Sequence, residues 1–403
     1  MVERGLRFNA RDALDSSMQF QAIKRAVNKN IDLLAMAMGR YPRFVVDDAA
    51  SLTRAPVFTF HQEPPEELEG CLRYVAENGY RTLTADDYYD QLERGERAQE
   101  RCLLLTFDDG PKSLWSVVFP LLRKYNLTAV AFIVPGLIKD EDSAEGWRLA
   151  DEKLCSWQQI EVMHKSGNVD FQLHSMYHHT VFVSPRIVSY VTPAFRKSSF
   201  FDGYFFPVHE HGTKAVFPDA MPLGAPLYES LTRFAAMPRY VHSTELECAC
   251  AEFVGSRNGA EFFKERNWKQ LLDRFVRDNR SLASRNTGYE SETDRALAIE
   301  QNLSVSKAII ESRLCGKKAR HFCFPWHEGS ASSARISKAA GYAANFWGWF
   351  VPKMKKGSDY PMSVRRLNPA YLWRLPGKGR KPLTEILMRR LLFLGEGRKR
   401  FVA

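Results

Sequence analysis

Three short stretches of this chain hold side chains that could do chemistry together: Thr106-Phe107-Asp108-Asp109-Gly110, His174-Ser175-Met176-Tyr177-His178 and Phe324-Pro325-Trp326-His327-Glu328-Gly329. Taken singly, each has an ordinary explanation. Adjacent aspartates ahead of Gly-Pro commonly make a turn, because Asp bonds its own backbone while Gly and Pro shape the bend. Two histidines four apart after a strand are often incidental. Together the stretches offer more. One Asp and two His make a three-ligand site for a divalent ion, with a position left open for water. Such an ion brings the pKa of its water toward ~7. A second carboxylate beside it can take the proton as that water attacks a carbonyl. Adjacent aspartates can fill both roles, since neighbouring side chains on an irregular turn diverge: one binds the ion and the other stays free. Imidazole and carboxylate ligands suit zinc foremost, with nickel, cobalt and iron as alternatives.

The elements around these stretches set their position. Val57-Phe58-Thr59-Phe60 is apolar, β-branched and aromatic, and predicts a buried strand ending at His61. Glu66 to Asn78 has helical spacing and stops at Gly79. Cys102 to Phe107 is the strongest strand pattern and runs straight into Asp108-Asp109-Gly110-Pro111. A helix over Leu114–Tyr125 and a strand over Ala129–Val134 follow. Next come a capped helix from Ser156 to Gly167 and a strand over Val169–Leu173 that ends at His174. Strand, turn, helix, strand is the rhythm of a parallel sheet. Chemistry gathers at the C-terminal ends of such strands, where Asp108, Asp109, His174 and His61 all fall. Between about 180 and 290 the rhythm breaks into prolines and aromatics, with a helix over about Ala260–Asp278, which reads as an insertion over the mouth of the site. A helix over Thr293–Ser312 leads back to strands at Arg320–Phe324 and Phe346–Phe350. The fold class that follows is α/β, with residues 1–55 as a helical N-terminal arm, 56–380 as the parallel α/β unit interrupted at about 180–290, and 381–403 as a basic amphipathic tail.

With these motifs in order, the chain resembles the polysaccharide deacetylases, carbohydrate esterase family 4 or the NodB-homology group. Thr106–Gly110 is similar to that family's first motif and His174–His178 to its second, a His-Ser/Thr-x-x-His pattern. The resemblance covers about 56–180 and about 292–350. It implies a distorted, incomplete (β/α) barrel of the seven-stranded type with the insertion over the active-site face. It implies that Asp108 is the general base and that Asp109, His174 and His178 bind one divalent metal. Pro325, Trp326 and His327 would stand in the third motif, which lines the substrate groove. Two family features are absent from their usual places. No arginine opens the third motif, and Arg365 or Arg366 could substitute for it in space. No histidine follows His327, so the C-terminal histidine that acts as general acid is missing. His61, at the end of the first strand, resembles the histidine of circularly rearranged members and is the candidate acid. The His209-Glu210-His211 run in the insertion is set outside the ligand set.

Composition bounds the rest. The 403 residues are 45% hydrophobic and 26% charged, ordinary for a chain that builds its own core. The most apolar early stretch, Ile31 to Met38, is too short to span a bilayer. Seven scattered cysteines do not form a disulfide framework and read as reduced thiols. No secretory signal pattern opens the chain, so a cytoplasmic location is expected. From Arg374 to Ala403, nine Lys or Arg stand against two Glu, among leucines near helical spacing. Such a segment can pack its leucines on the domain, or rest on an anionic membrane or lipid-diphosphate at the inner membrane face. Charge gathered at one end, without a reading module, argues against nucleic acid. The expected activity is removal of an N-acetyl, or an N-formyl, group from an N-acylated sugar, glycan or lipid-linked glycan precursor. The alternative is a catalytically degenerate, glycan-binding member of the same fold.

Overall fold

The computed structural model describes residues 36, 38–95, 101–138, 153–197, 209–211, 214–349, 351 and 361–390. Most of the expected N-terminal arm, and the tail beyond 390, lie outside the described residues.

Seven parallel strands form the barrel: β1 (Val57–Phe60), β3 (Cys102–Asp109), β4 (Ala129–Ile133), β5 (Val169–Leu173), β12 (His321–Cys323), β13 (Ala344–Trp347) and β14 (Val364–Arg365), paired in that order. The short β2 (Arg81–Thr82) pairs with the start of β3. The ring is closed just past β14. The Leu367 amide donates to the Val57 carbonyl at 2.7 Å, and the Thr59 amide donates to the Leu367 carbonyl at 3.0 Å. The incomplete barrel read from the sequence is therefore nearly closed.

Alternation along each strand sorts the side chains, as it must in a barrel. Val57, Leu104, Val130, Phe132, Cys323, Ala344, Phe346 and Val364 form one buried cluster inside the ring. Their neighbours in sequence, Phe58, Leu103, Leu105, Ala131, Phe171 and Phe322, join a second cluster that packs under the helices. His61, Asp108 and Arg366 share the parity of Val57, Leu104 and Val364, so they crown the interior at its C-terminal mouth. Being buried on both faces, these strands read as unbroken apolar runs, which is why β3 was so legible.

The helices carry their own signals. Ser156 and Gln159 cap the helix Trp157–Lys165 reciprocally, a box that contributes about 1 kcal/mol. The expected helix over Leu114–Tyr125 is instead a π-helical turn, Leu114–Val118, followed by an α-helix, Phe119–Lys124. Pro120 has no N–H to continue the ladder. Outside the barrel, Thr180 to Tyr289 supplies three two-stranded antiparallel sheets: β6 (Thr180–Tyr190) with β9 (Pro226–Thr232), β7 (His209–His211) with β8 (Lys214–Val216), and β10 (Tyr240–Val241) with β11 (Gly288–Tyr289). The β6–β9 register shifts between Phe182 and Ile187, around Pro185. The helix expected over 260–278 is split into a 3-10 turn, Gly259–Lys264, and a helix, Trp268–Asp278. A further helix, Thr244–Gly255, precedes them.

Buried arginines close the insertion on itself and, through Arg295, tie it to the barrel. Arg233 meets Glu290 through two N–H donors, and Arg295 donates to the Ala235 carbonyl and to Ser330. At the other end, Ile386 is buried in the outer core and Leu383 packs beside it. The helical stretch 383–390 thus rests on the domain. Among the described residues, no helix is long and apolar enough to cross a membrane.

Candidate active site

The three sequence stretches meet at the mouth. Asp108 ends β3 pointing inward. Asp109 would point outward by strand alternation, but its φ of +72° turns its carboxylate back to the mouth. Ser175 at +72° and His178 at +48° bend the second motif in the same way, and Trp326 at +52° and His327 at +61° bend the third. Five left-handed, non-glycine residues in one place are a store of strain, at roughly 1–3 kcal/mol each, of the kind found at functional sites. Neighbouring elements hold these bends. The Gly136 amide donates to the Met176 carbonyl at 3.0 Å, and a Cβ on Gly136 would lie 2.5 Å from that oxygen. The Met176 amide donates to the Asn302 side-chain oxygen of the helix Glu292–Arg313 at 3.0 Å.

Asp109 Oδ1 lies 3.4 Å from His174 Nε2 and 3.6 Å from His178 Nε2. Ligand atoms about 2.1 Å from a tetrahedral ion are roughly 3.4 Å apart, so the spacing fits a metal. Asp109 Oδ1 is buried and accepts no hydrogen bond. His174 donates from Nδ1 to the Cys323 carbonyl at 2.9 Å, which leaves Nε2 with a free lone pair aimed at the group. Burial takes the His174 pKa down to about 4, against the pull of Asp108. Burial, and then the charge of Asp108, pushes the Asp109 carboxyl up. A divalent cation is the partner that would let both carboxylates stay ionised. Asp109, His174 and His178 therefore could hold one.

The residue that sequence reasoning named only as one of two alternatives is central here. Arg366 is buried beneath the mouth, and all five of its N–H donors are used. It donates to Asp108 Oδ1 at 2.6 Å and Oδ2 at 2.8 Å, to Thr106 Oγ1 at 3.2 Å, to the Trp347 carbonyl at 3.1 Å and to His327 Nδ1 at 3.0 Å. Burial alone would raise the Asp108 pKa. The guanidinium, and after it His174, reverses this and holds the carboxyl well below the usual range. Arg365 is on the opposite parity, over the Trp349 ring. The only signal in sequence was Val364 ahead of two arginines, in a strand too short to announce itself.

His61 is on the other side of Asp108, with Nε2 3.7 Å from Oδ2 and its side chain 48% exposed. Loss of water around the ring lowers its pKa, with Asp108 opposing. The His61 amide donates to both Glu63 oxygens, at 3.2 and 3.1 Å. Burial raises the Glu63 carboxyl to about 7. Sequence reasoning passed over Glu63. Pro325 is buried, and Trp326 meets the His178 ring with centroids 4.2 Å apart at 63°. The His327 ring stands at 89° to that of His61, 5.9 Å away.

A parallel α/β barrel with a carboxylate–imidazole centre at its C-terminal mouth is the class that this architecture defines. Residues 95–194 match the family model described as polysaccharide deacetylase. The curated relatives agree. YxkH of Bacillus subtilis, placed by its name among the polysaccharide deacetylases, is 29% identical over 125 residues, 29% of this chain and 43% of that protein. A poly-beta-1,6-N-acetyl-D-glucosamine N-deacetylase of Escherichia coli is 29% identical over 110 residues, 26% of this chain and 16% of that protein. The matched stretch thus spans under half the length of either. The solved structure of a de-N-acetylase from Aggregatibacter actinomycetemcomitans aligns with 78% of this chain and 95% of its own, at 18% identity and a TM-score of 0.48.

Proposed function

We propose that the chain is a metal-dependent carbohydrate deacetylase that hydrolyses the N-acetyl group of a glycan. The observation that carries this reading is the convergence of two carboxylates with unlike surroundings. Asp108 is held ionised by Arg366, and Asp109 Oδ1 lies 3.4 Å from His174 Nε2 and 3.6 Å from His178 Nε2. Asp109, His174 and His178 would hold the ion. When bound, a divalent cation supplies Lewis acidity at the acyl carbonyl and the attacking water. Asp108 takes the proton from that water. Arg366 keeps its carboxylate oriented and ionised while doing so. His61 returns a proton to the departing nitrogen, a role that an imidazole beside the base can fill. Trp326 and Pro325 form the wall against which the sugar lies.

Zinc is the metal expected, and an N-acylated sugar, glycan or lipid-linked precursor is the substrate class. Poly-beta-1,6-N-acetyl-D-glucosamine, named for the Escherichia coli and Staphylococcus aureus relatives, is the first polymer to test. Residues 56–380 are taken as the catalytic unit. A cytoplasmic location, with the basic C-terminus resting on anionic lipid, belongs to the same proposal. The test is metal analysis of the purified protein, joined to an acetate- and formate-release screen over N-acylated sugars and this polymer. Release that requires metal supports the reading. A protein that binds glycan tightly with metal present, yet releases neither acid, is instead the glycan-binding alternative.

A further inference from the structure

Two histidines flank Asp108, and nothing in their sequence says which of them carries a proton. The hydrogen bonds of Arg366 distinguish them. A guanidinium has donors only. Its contact with His327 Nδ1 at 3.0 Å therefore requires a lone pair on that nitrogen. A neutral His327 must then carry its hydrogen on Nε2. An imidazolium would set N–H against N–H beside a buried cation.

The surroundings enforce this arrangement. The left-handed φ angles of Trp326 and His327 turn the ring toward Arg366. Gly348, on the parity of Phe346, lies under the ring, and a Cβ there would be 2.7 Å from His327 Cβ. Arg366 cannot swing away, since its other four donors are held by Asp108, Thr106 and the Trp347 carbonyl. His327 itself is half-buried, and one of its ring nitrogens lies within 4.8 Å of ligand atoms of His61 and Asp108. The charged and titratable groups facing it are Arg366, Asp108, His61 and, farther off, His174.

We propose that His327 is a fixed, neutral hydrogen-bond donor to a substrate oxygen through Nε2–H, with Arg366 as the group that fixes its tautomer, and that His61 alone shuttles the proton. This rests on the deacetylase reading above and adds a division of labour to it. His61 has no such lock: its side chain is half exposed, and its Nε2 lies 3.7 Å from the Asp108 carboxylate, so it can gain and lose a proton.

Two measurements on the full chain test this. The first uses the zinc-loaded protein with two probes, an N-acetylglucosamine oligomer and a fluorogenic aryl acetate. The amide needs an acid to protonate its leaving nitrogen, whereas the aryl oxide leaves without one. His327→Phe should lower kcat on both probes about 100-fold or more, the usual effect of removing a donor to developing oxyanion charge. His327→Gln should stay within about tenfold of wild type, because its amide can accept from Arg366 and donate to substrate. His61→Ala should lower kcat on the amide far more than on the aryl acetate. If His327→Phe spares the aryl acetate while losing the amide, His327 is the acid and the proposal fails. The second is long-range proton–nitrogen NMR on histidine-labelled protein, with the signal assigned by its loss in His327→Gln. His327 should show the neutral Nε2–H form throughout about pH 5 to 8, the range in which a free histidine titrates. An Nδ1–H form, or a charged ring in that range, overturns the proposal. Should the wild type cleave neither probe, the deacetylase reading fails, and the NMR result still decides the tautomer.

Discussion

Replacing Arg366 by Met should expose what holds the base in place. Arg366 is wholly buried and Asp108 is 1% exposed. Without the guanidinium, Asp108 keeps only contacts too long to be good hydrogen bonds: His61 at 3.7 Å, His174 at 4.0 Å and the Cys323 thiol at 4.0 Å. Breaking a buried pair by removing one partner costs about 3–5 kcal/mol, because the other charge is left uncompensated. Divided by 1.36 kcal/mol per pKa unit, that is about 2–4 units of upward movement for Asp108. The sign follows from a depressed native pKa. The stability contributed by the pair is present above the unfolded value of about 3.9, and is lost as pH falls through the still lower folded value. The deficit of the variant should therefore be full at pH 7.5 and nearly as large at pH 5, because the window in which the pair's contribution is lost lies below about 3.9. The assay is guanidinium unfolding of metal-stripped protein at pH 7.5 and 5, for wild type, Arg366→Met, Asp108→Leu and the double variant. The double variant should recover at least half of the single-variant deficit, since an apolar pair of similar volume replaces a buried ion pair at little cost. An Arg366→Met protein within about 1 kcal/mol of wild type at pH 7.5, or deficits that simply add, would refute the argument.

The two aspartates should separate by metal content. Asp109→Asn and His174→Ala should lose the ion on elemental analysis, whereas Asp108→Asn should keep it and lose about 10²–10⁴ in turnover. A full equivalent of metal in His174→Ala means that the ligands are misassigned. His61→Ala should keep its metal yet lose amide hydrolysis by at least about 100-fold; an unchanged rate removes His61 from the mechanism. Gly348→Ala pushes a methyl against His327, at 2.7 Å. It should cost about 1–3 kcal/mol on thermal unfolding and lower activity by loosening the Arg366 contact. A variant of native stability and activity would mean that the ring has room to move.

Much of this protein can be read from its sequence, and the reason is local. β3 and β4 are runs of buried apolar residues, and the turn after β3 shows itself in Asp-Asp-Gly-Pro. The helix Trp157–Lys165 carries its cap in Ser156 and Gln159. Once the strands are recognised, alternation alone places His61 and Asp108 on the inner face. The motifs Thr106–Gly110 and His174–His178 then bring out the chemistry and the family, and the family match covers both. The tertiary structure decided what depends on distant partners. β14 is two residues long, and only its pairing with β13, together with the Leu367–Val57 closure, turns Arg366 inward onto Asp108. The guanidinium that pairs with Asp108 thus comes from 258 residues away in the chain. No periodicity could select it over Arg365, because parity has meaning only once the strand exists. The insertion was equally opaque: its β6–β9 pairing shifts register around Pro185, and its buried Arg233–Glu290 and Arg295 contacts join residues distant in the chain. A residue's type and its neighbours in sequence carry its propensity and its face. The side chain that will neutralise its charge is chosen by closure of the ring, which no local pattern encodes.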